Sequence, residues 1–585
     1  MKKLPKLFFI FDSKQNNLNL EISDFNVTMK KFEDHDNLLY IIGNPIIDEK
    51  INHKFVWEKI KHKINYQTLK NINGEFLIIH NDKKNKSLNI YNDRFTSIPF
   101  FYLNYDDKFI GSVFYKDIKI FLQRNNDFKI NKEAIFEFLW LQRLVGEKTH
   151  DSYSKCLLAA THINFYQNKV DRYVYWTPSF KKTNRSLNES ADILKNLLSD
   201  SIIKKTSDSD KNYGIFLSGG IDSRTILSLF QSQIDSYTIG VSYNNEVKVA
   251  EKIAGINNSK HSFVSLDHDP YSGSLDEIIQ LGGGMYAFDH SIFYGLSDKI
   301  PEKPDVFFHG HGMDYMFQGM YLLNKNVNFL GKKTSLKKPV QISGIFSLEF
   351  LQRISYRLKG INLLDYVHKP LRSDMYDSLV NSIEEVCSNA EEFCETNDDY
   401  WEYMLIHALC RHYPYTNLLS IGTIAEQRTI TFDNDVFDFY LSLDNKYRLD
   451  GMIAKKLLSK INPILGKVPV ANNNFKPSMS PLFKDVTRLK RYIGRKVNSS
   501  YLSGVEANAE ERTWPDRNKM YLYNKGLREA AVKLFDSDFL SSLDLFDMDI
   551  LSRDIKVFID NPNYNAGSFI TFLISIERFF NYERR

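Results

Sequence analysis

The first third of the chain alternates short apolar runs with polar turns. Leu7 to Phe11, Leu38 to Ile42, Glu75 to His80, Ser87 to Tyr91, Phe100 to Leu103 and Phe109 to Val113 have the length of strands. Between them, segments such as Asn-Asp-Lys-Lys-Asn-Lys and Asn-Tyr-Asp-Asp carry turn chemistry. The pattern predicts a mainly antiparallel, β-rich domain over residues 1–180. Around Pro178 to Ser190 the composition turns polar, and Asn188, Glu189 and Ser190 precede the helical run Ala191 to Ile203. A second domain, residues 190–585, is expected from there. In it a short apolar strand runs into Ser-Gly-Gly-Ile-Asp-Ser and then a helix. Ser236 to Gly240 reads as the next strand, Val247 to Ile253 as a helix, and Asp305 to His309 as a third strand ending in a glycine-bearing turn, Gly310 to Gly319. Strands and helices alternating in this way imply a parallel, doubly wound sheet with its ligand at the carboxyl ends of the strands. The rest reads as a helical extension whose aromatic-rich segments pack as core.

Composition narrows the function. At 585 residues the chain holds two or more domains, and 43 % hydrophobic with 25 % charged residues is the balance of a soluble globular protein. A formal charge of +4 and no long basic run give no reason to expect nucleic acid as a partner. The opening MKKLPKLFFIFDSK is broken by Asp12 and lacks a small-residue cleavage site, so it reads as a first strand and not a signal peptide. Ser568 to Ile576 is too short to span a bilayer and is followed by Glu577 and Arg578, so no membrane insertion is expected. Cys156, Cys387, Cys394 and Cys410 have neither disulfide-framework density nor metal-ligand spacing, which suits a reducing, cytoplasmic location.

The candidate chemistry sits in SGGIDS. Gly219 and Gly220 let backbone approach an anion, Ser218 and Ser223 add hydroxyls, and the helix starting near Asp222 points its free N–H groups at the same place. An acid in an anion loop is repulsive unless a cation lies between, so Asp222 implies bound Mg2+. With no Gly-Lys-Ser/Thr ending, the loop is not that of kinases or GTPases. It resembles the SGGxDS pyrophosphate loop of ATP pyrophosphatases, which implies ATP split into AMP and pyrophosphate.

Further segments extend the likeness. Ile72-Asn73-Gly74-Glu75-Phe76, then Asp93-Arg94 with Pro99-Phe100-Phe101-Tyr102, and FIGSVFYKDI (Phe109 to Ile118) lie in the first domain. Thr238 to Gly240, HGHGMDYMFQGMY and AEQRTITFD (Ala425 to Asp433) follow SGGIDS in the second. Together they resemble the asparagine synthetase family over most of the chain. The resemblance implies a glutaminase-like α+β sandwich followed by an ATP pyrophosphatase domain. One departure stands out: glutamine-hydrolysing members use a cysteine as mature first residue, whereas this sequence starts Met1-Lys2-Lys3 and its first cysteine is Cys156. The early glutamine-binding segments are also unrecognisable. The first domain is therefore expected not to release ammonia from glutamine, like relatives that close β-lactam rings or lasso peptides.

By the same resemblance a carboxylate is adenylated and an amine then displaces AMP to give an amide. Asp222 and Asp314 are the implied metal ligands, with helix N-capping the alternative for Asp314. Adenine is expected near Leu217, Ile239, His309 and Gly310. His311 replaces the glutamate of asparagine-forming members and is expected either as a general base toward the amine or as a residue that bonds the nucleotide or fills the turn. Tyr315 replaces the second acid of its motif. Glu426, beside Arg428, is a candidate for the substrate amine or half of a buried structural pair. Lys467 and Lys476 are candidates for the lysine of the second half-reaction, while Lys455 and Lys456 read as a solvated face. The expected partners are a small-molecule or peptide carboxylate and an amine donor, with a homodimer left open. A surface-polysaccharide ligase, an intramolecular cyclase and a non-catalytic nucleotide-binding scaffold are the competing readings.

Overall fold

The computed structural model describes residues 3–582 apart from 63, 209, 268, 270, 272, 330, 355–357, 359, 498–515 and 562–563. It is a mixed α/β structure with antiparallel sheets first and a parallel sheet later. The first antiparallel sheet runs in the order Lys155–Cys156, Phe101–Tyr105, Lys108–Ser112, Lys6–Asp12, Asn17–Ser23. The second runs Lys169–Val174, Thr161–Tyr166, Ser87–Asn92, Asn73–Asp82, Asn37–Ile47, Met29–Glu33. Their aromatic side chains meet, with Phe11 and Phe109 against Phe165 at 6.0 and 5.5 Å between ring centres. The two-residue period of a strand divides the central pair of the second sheet between two cores. Leu38, Ile42, Leu77 and Ile79 face the first sheet, while Leu39, Ile41, Phe76 and Ile78 face Val56, Trp57 and Ile60 of the helix His53–Ile60. Each such side chain contributes about 1.5–3 kcal/mol by leaving water.

The six strands expected in this region are all present, and Asn37–Ile47 runs well past its expected end. Asn17–Ser23, Met29–Glu33 and Lys169–Val174 were not expected. They are edge strands, largely exposed, and their pairing is imposed by the neighbour rather than by an apolar pattern. The linking helix spans Leu187–Lys205 and begins earlier than expected, because Ser186 is the N-cap and accepts the amide of Glu189. Asn188, Glu189 and Ser190 thus form its first turn.

The parallel sheet has the order His261–Ser265, Asp235–Gly240, Tyr213–Phe216, Val306–His309, Glu426–Thr429, and every pairing is parallel. The chain proceeds outward from Tyr213–Phe216, then crosses to its other side for Val306–His309. Neighbouring connections therefore diverge between these two strands, opening a crevice beyond their carboxyl ends. The apolar stretch Ser568 to Ile576 lies in the buried helix Gly567–Asn581. Here the carbonyl of Phe579 accepts from Lys119 of the first region at 2.5 Å and from Gln280 of the second at 3.1 Å. Its hydrophobicity serves a core contact shared by both regions. Among the described residues no helix is long and apolar enough to cross a membrane.

Candidate active site

The crevice holds a cavity of ≈ 310 Å³, with both glycine turns in its wall. Ser218, Asp222, Ser223 and Asp314 line it together, as do Leu217, Ile239, His309, Gly310 and His311. Ile292, Phe293, Leu418 and Ile421 add an apolar wall. A flat aromatic base suits such a wall, and a charged phosphate chain suits the turn end.

The SGGIDS turn is self-bonded. Ser223 Oγ accepts the amide of Ser218 at 2.9 Å and lies 3.0 Å from Ser218 Oγ, which in turn accepts the amide of Gly220 at 3.2 Å. Arg224, buried in the short helix Asp222–Leu227, donates to the carbonyls of Gly219, Gly220, Leu465, Val468 and Pro469 at 2.6–3.2 Å. The same segment's Ala471 donates to the carbonyl of Gly219 at 3.1 Å. The bare Cα of Gly219 makes room for Ala471 of a second chain segment, since a Cβ on Gly219 would run into the Ala471 side chain. Gly310 has a similar reason: a Cβ there would stand 2.7 Å from Asp222 Cβ. The absence of that side chain lets the two turns approach each other.

That approach brings two acids together. Burial, and then the neighbouring Asp314, push the Asp222 carboxyl well above the ordinary range, while burial pushes Asp314 up to about 6. Asp314 is not an N-cap: Gly312 holds that place before the helix Met313–Phe317, and Asp314 Oδ1 accepts the amide of Tyr315 at 2.8 Å. Gln318 Nε2 donates to Asp222 Oδ1 at 2.6 Å. Gln318 follows Asp314 by four residues, and that helical spacing is the only local signal in the sequence that makes it a neighbour. Among the described residues no group of three or more His, Cys, Asp and Glu side chains could hold a metal. Two half-buried carboxylates on the cavity wall with that electrostatic conflict do fit Mg2+, which takes one or two carboxylates and completes its shell with phosphate oxygens and water.

His309 and His311 differ. His309 Nδ1 accepts the amide of His311 at 3.3 Å, so its proton lies on Nε2, which donates to Gln427 Oε1 at 2.8 Å. It is a satisfied residue that shapes the turn. Burial, then nearby His309, lower His311 to about 3, so it is neutral near pH 7, and its buried Nε2 has no partner among the described atoms. The rings of Tyr315, Tyr415 and Phe432 surround it at 5.7–6.2 Å, and Thr431 Oγ1 holds its carbonyl at 2.8 Å. An unpaired imidazole nitrogen on a cavity wall is a place for a ligand hydrogen.

Three candidates lie elsewhere. Glu426 pairs with Val306 at the amino end of its strand, while the cavity lies beyond His309 and Thr429 at the other end. Its oxygens accept from Thr28 at 2.6 Å, Asn44 at 2.6 Å, Lys211 at 2.5 Å and Arg428 at 2.7 Å. It is a saturated link between the antiparallel sheets and the parallel sheet, as the buried-pair alternative has it. Lys467 and Lys476 are exposed and neither lines the cavity. Lys455 is also not a solvated face, since it pairs with Asp450 at 2.6 Å.

The family model described as Asparagine synthase matches residues 194–553, from the linking helix through both glycine turns. The chain belongs to the asparagine synthase family. An inferred glutamine-hydrolyzing asparagine synthetase 2 of Methanocaldococcus jannaschii is 26 % identical over 340 residues, covering 53 % of this chain and 64 % of that protein. Glutamine-hydrolyzing asparagine synthetase 1 of Bacillus subtilis is 23 % identical over 255 residues, covering 42 % of this chain and 40 % of its own length. The match thus spans less than two thirds of either relative. Among solved structures, the allosteric regulatory enzyme of purine biosynthesis aligns at 7 % identity with a TM-score of 0.20, covering 45 % of this chain and 59 % of that one, too weak a likeness to argue from.

Proposed function

We propose that this member of the asparagine synthase family is an ATP-dependent, AMP-forming carbon–nitrogen ligase. The carrying observation is the pair Asp222 and Asp314, which line one cavity together with an apolar wall of Ile292, Phe293, Leu418 and Ile421 and lie near enough for Asp314 to raise Asp222. A substrate carboxylate oxygen bonds to the α-phosphorus of ATP as the bond to the β-phosphate oxygen breaks and pyrophosphate departs. An amine nitrogen then bonds to the acyl carbon, the acyl–phosphate bond breaks, AMP leaves, and the nitrogen gives up a proton. Ser218, Ser223 and the amides of their turn orient the pyrophosphate, and Ile239 with Phe293 receive adenine. Mg2+ held by Asp222 and Asp314 would neutralise the charge that builds on the departing pyrophosphate. The vacant Nε2 of His311 accepts a hydrogen bond from the incoming amine and orients it, and with a pKa of about 3 it passes the proton on to solvent.

The amine is ammonia or an amine of the substrate, in specialised biosynthesis such as that of a surface polysaccharide. The one cysteine in residues 1–180, Cys156, is fully buried beside Cys410 and Arg411, which supports a first region without an exposed thiol nucleophile. ATP–pyrophosphate exchange against a panel of amino-acid, sugar-acid and peptide carboxylates tests the reading. Exchange with at least one carboxylate, and AMP as product, is the expected result. ADP as product would refute it.

A further inference from the structure

The helix Pro481–Val497 is turned inside out. Leu482, Val486, Leu489 and Ile493 recur at spacings of four, three and four, which align them on one stripe, with Phe483 and Tyr492 at its margins. An ordinary surface helix buries such a stripe. Here all six residues are exposed: Leu482 is 77 % and Phe483 69 % accessible, and the other four lie between 49 and 56 %. The polar side is what faces the protein. Lys484 pairs with Asp450 at 3.3 Å, Arg491 donates to the carbonyls of Asn473 and Asn474 at 3.0 and 3.1 Å, and Asp485 accepts the amide of Ser335 at 2.9 Å.

Ser335 belongs to the hairpin of Asn324–Phe329 and Lys332–Pro339, which lies beside the helix. The hairpin presents Phe329 and Leu336, 68 and 52 % accessible, and Lys325, Lys332, Lys333, Lys337 and Lys338 without a single acid. From Pro481 to Ile493 the helix adds four bases against one acid. The hairpin and the stretch Pro481 to Ile493 together carry eight net positive charges in a chain whose total is +4, so the remainder is net negative by four. An apolar patch this prominent marks a contact surface, and its charge selects the partner. A second copy docking by the same face would set like charge against like charge. An apolar stripe bordered by lysines matches an anionic bilayer, whose acyl boundary receives the stripe and whose headgroups receive the cations.

We propose that the helix Pro481–Val497 and the lysine-rich hairpin dock this protein peripherally on an anionic membrane surface. Arg491 grips Asn473 and Asn474 in the segment whose Ala471 lies on Gly219, so the docking face stands one short segment from the phosphate turn.

Cosedimentation of the full chain with lipid vesicles decides the matter. With roughly one-third phosphatidylglycerol in phosphatidylcholine the protein is expected in the pellet, with binding about tenfold or more weaker on phosphatidylcholine alone or at high salt. Leu482→Ser with Leu489→Ser and Ile493→Ser is expected to lower binding by at least about tenfold while leaving the thermal midpoint unchanged. Lys332→Glu with Lys333→Glu, Lys337→Glu and Lys338→Glu should do the same through charge alone. Wild-type protein that stays in the supernatant with anionic vesicles overturns the proposal, as does a stripe variant that binds as well as wild type. A wild-type dimer that becomes monomeric in the stripe variant, with no vesicle binding by either, reassigns the face to a second copy. An acidic protein partner captured through the same residues in the absence of vesicle binding equally overturns it.

Discussion

The parallel sheet carries buried charge at both ends and handles it in opposite ways. At the amino ends, Arg428 donates to Asp208 at 2.7 and 2.6 Å and to Glu426 at 2.7 Å, and Lys211 completes a balanced set of two acids and two bases. Burial raises the cost of charging Glu426, yet Arg428, then Lys211 and Thr28, hold its carboxyl below the ordinary range. At the carboxyl ends Asp222 and Asp314 line the same cavity, both pushed upward, and the nearby guanidinium of Arg224 is spent on carbonyl oxygens. A saturated cluster joins layers and has no capacity left for a ligand. A conflicted one is costly by itself and is relieved by what binds there.

Substitutions should separate the two ends. Arg428→Ala strands the buried Glu426 and the half-buried Asp208 with one base, and is expected to cost about 3–5 kcal/mol of stability, read as a lower urea midpoint. A loss below about 1 kcal/mol would show that the amino-end cluster is not structural. Asp222→Asn should act the other way, cutting ATP–pyrophosphate exchange roughly 10²- to 10³-fold with the ligand-free melting temperature unchanged or higher, because a repulsion is removed. Retention of full exchange would sink the metal assignment. His311→Phe fills the same space without the vacant nitrogen, so amide formation should fall about a hundredfold while exchange persists. Equal loss of both activities would place His311 in nucleotide binding instead.

Ligand and proton binding sharpen the contrast further. Mg2+ with ATP at a hundredfold excess over its dissociation constant should stabilise the wild type by about 3 kcal/mol, with little effect on Asp314→Asn. The same increment in the variant would mean that Asp314 takes no part. The smallest effect concerns Asp208, whose pKa is lowered to about 2: burial alone would raise it, but the Arg428 hydrogen bond and charge prevail. Its contribution is present above the ordinary carboxylate value near 4 and is lost as pH falls toward 2. The stability gap between wild type and Asp208→Asn should therefore be constant at neutral pH and shrink in acid. A gap that widened in acid would contradict the pairing.

Local pattern exposed the chemistry where the chain itself groups the residues. Ser218, Gly219, Gly220, Asp222 and Ser223 are contiguous, so a strand, a turn and a helix in that order suffice to place them together. Glu426 was harder to judge because a four-residue strand shows no polarity in its sequence. Whether it faced the ligand depended on which end lay beside His309, and the pairing of Val306 with Glu426 puts it at the far end. Ala471 at Gly219 and the wall formed by Leu418 and Ile421 have no local signature, because they come from segments remote in sequence.

By itself the sequence determined the strand-and-helix alternation, the two glycine turns and the acids they carry, since backbone geometry and side-chain period act over a few residues. Tertiary structure alone decided that Asp222 meets Asp314, that His311 keeps a vacant nitrogen, and that the stripe of Pro481–Val497 faces outward. Burial and charge coupling depend on what other segments bring within a few ångströms, and no local pattern encodes that.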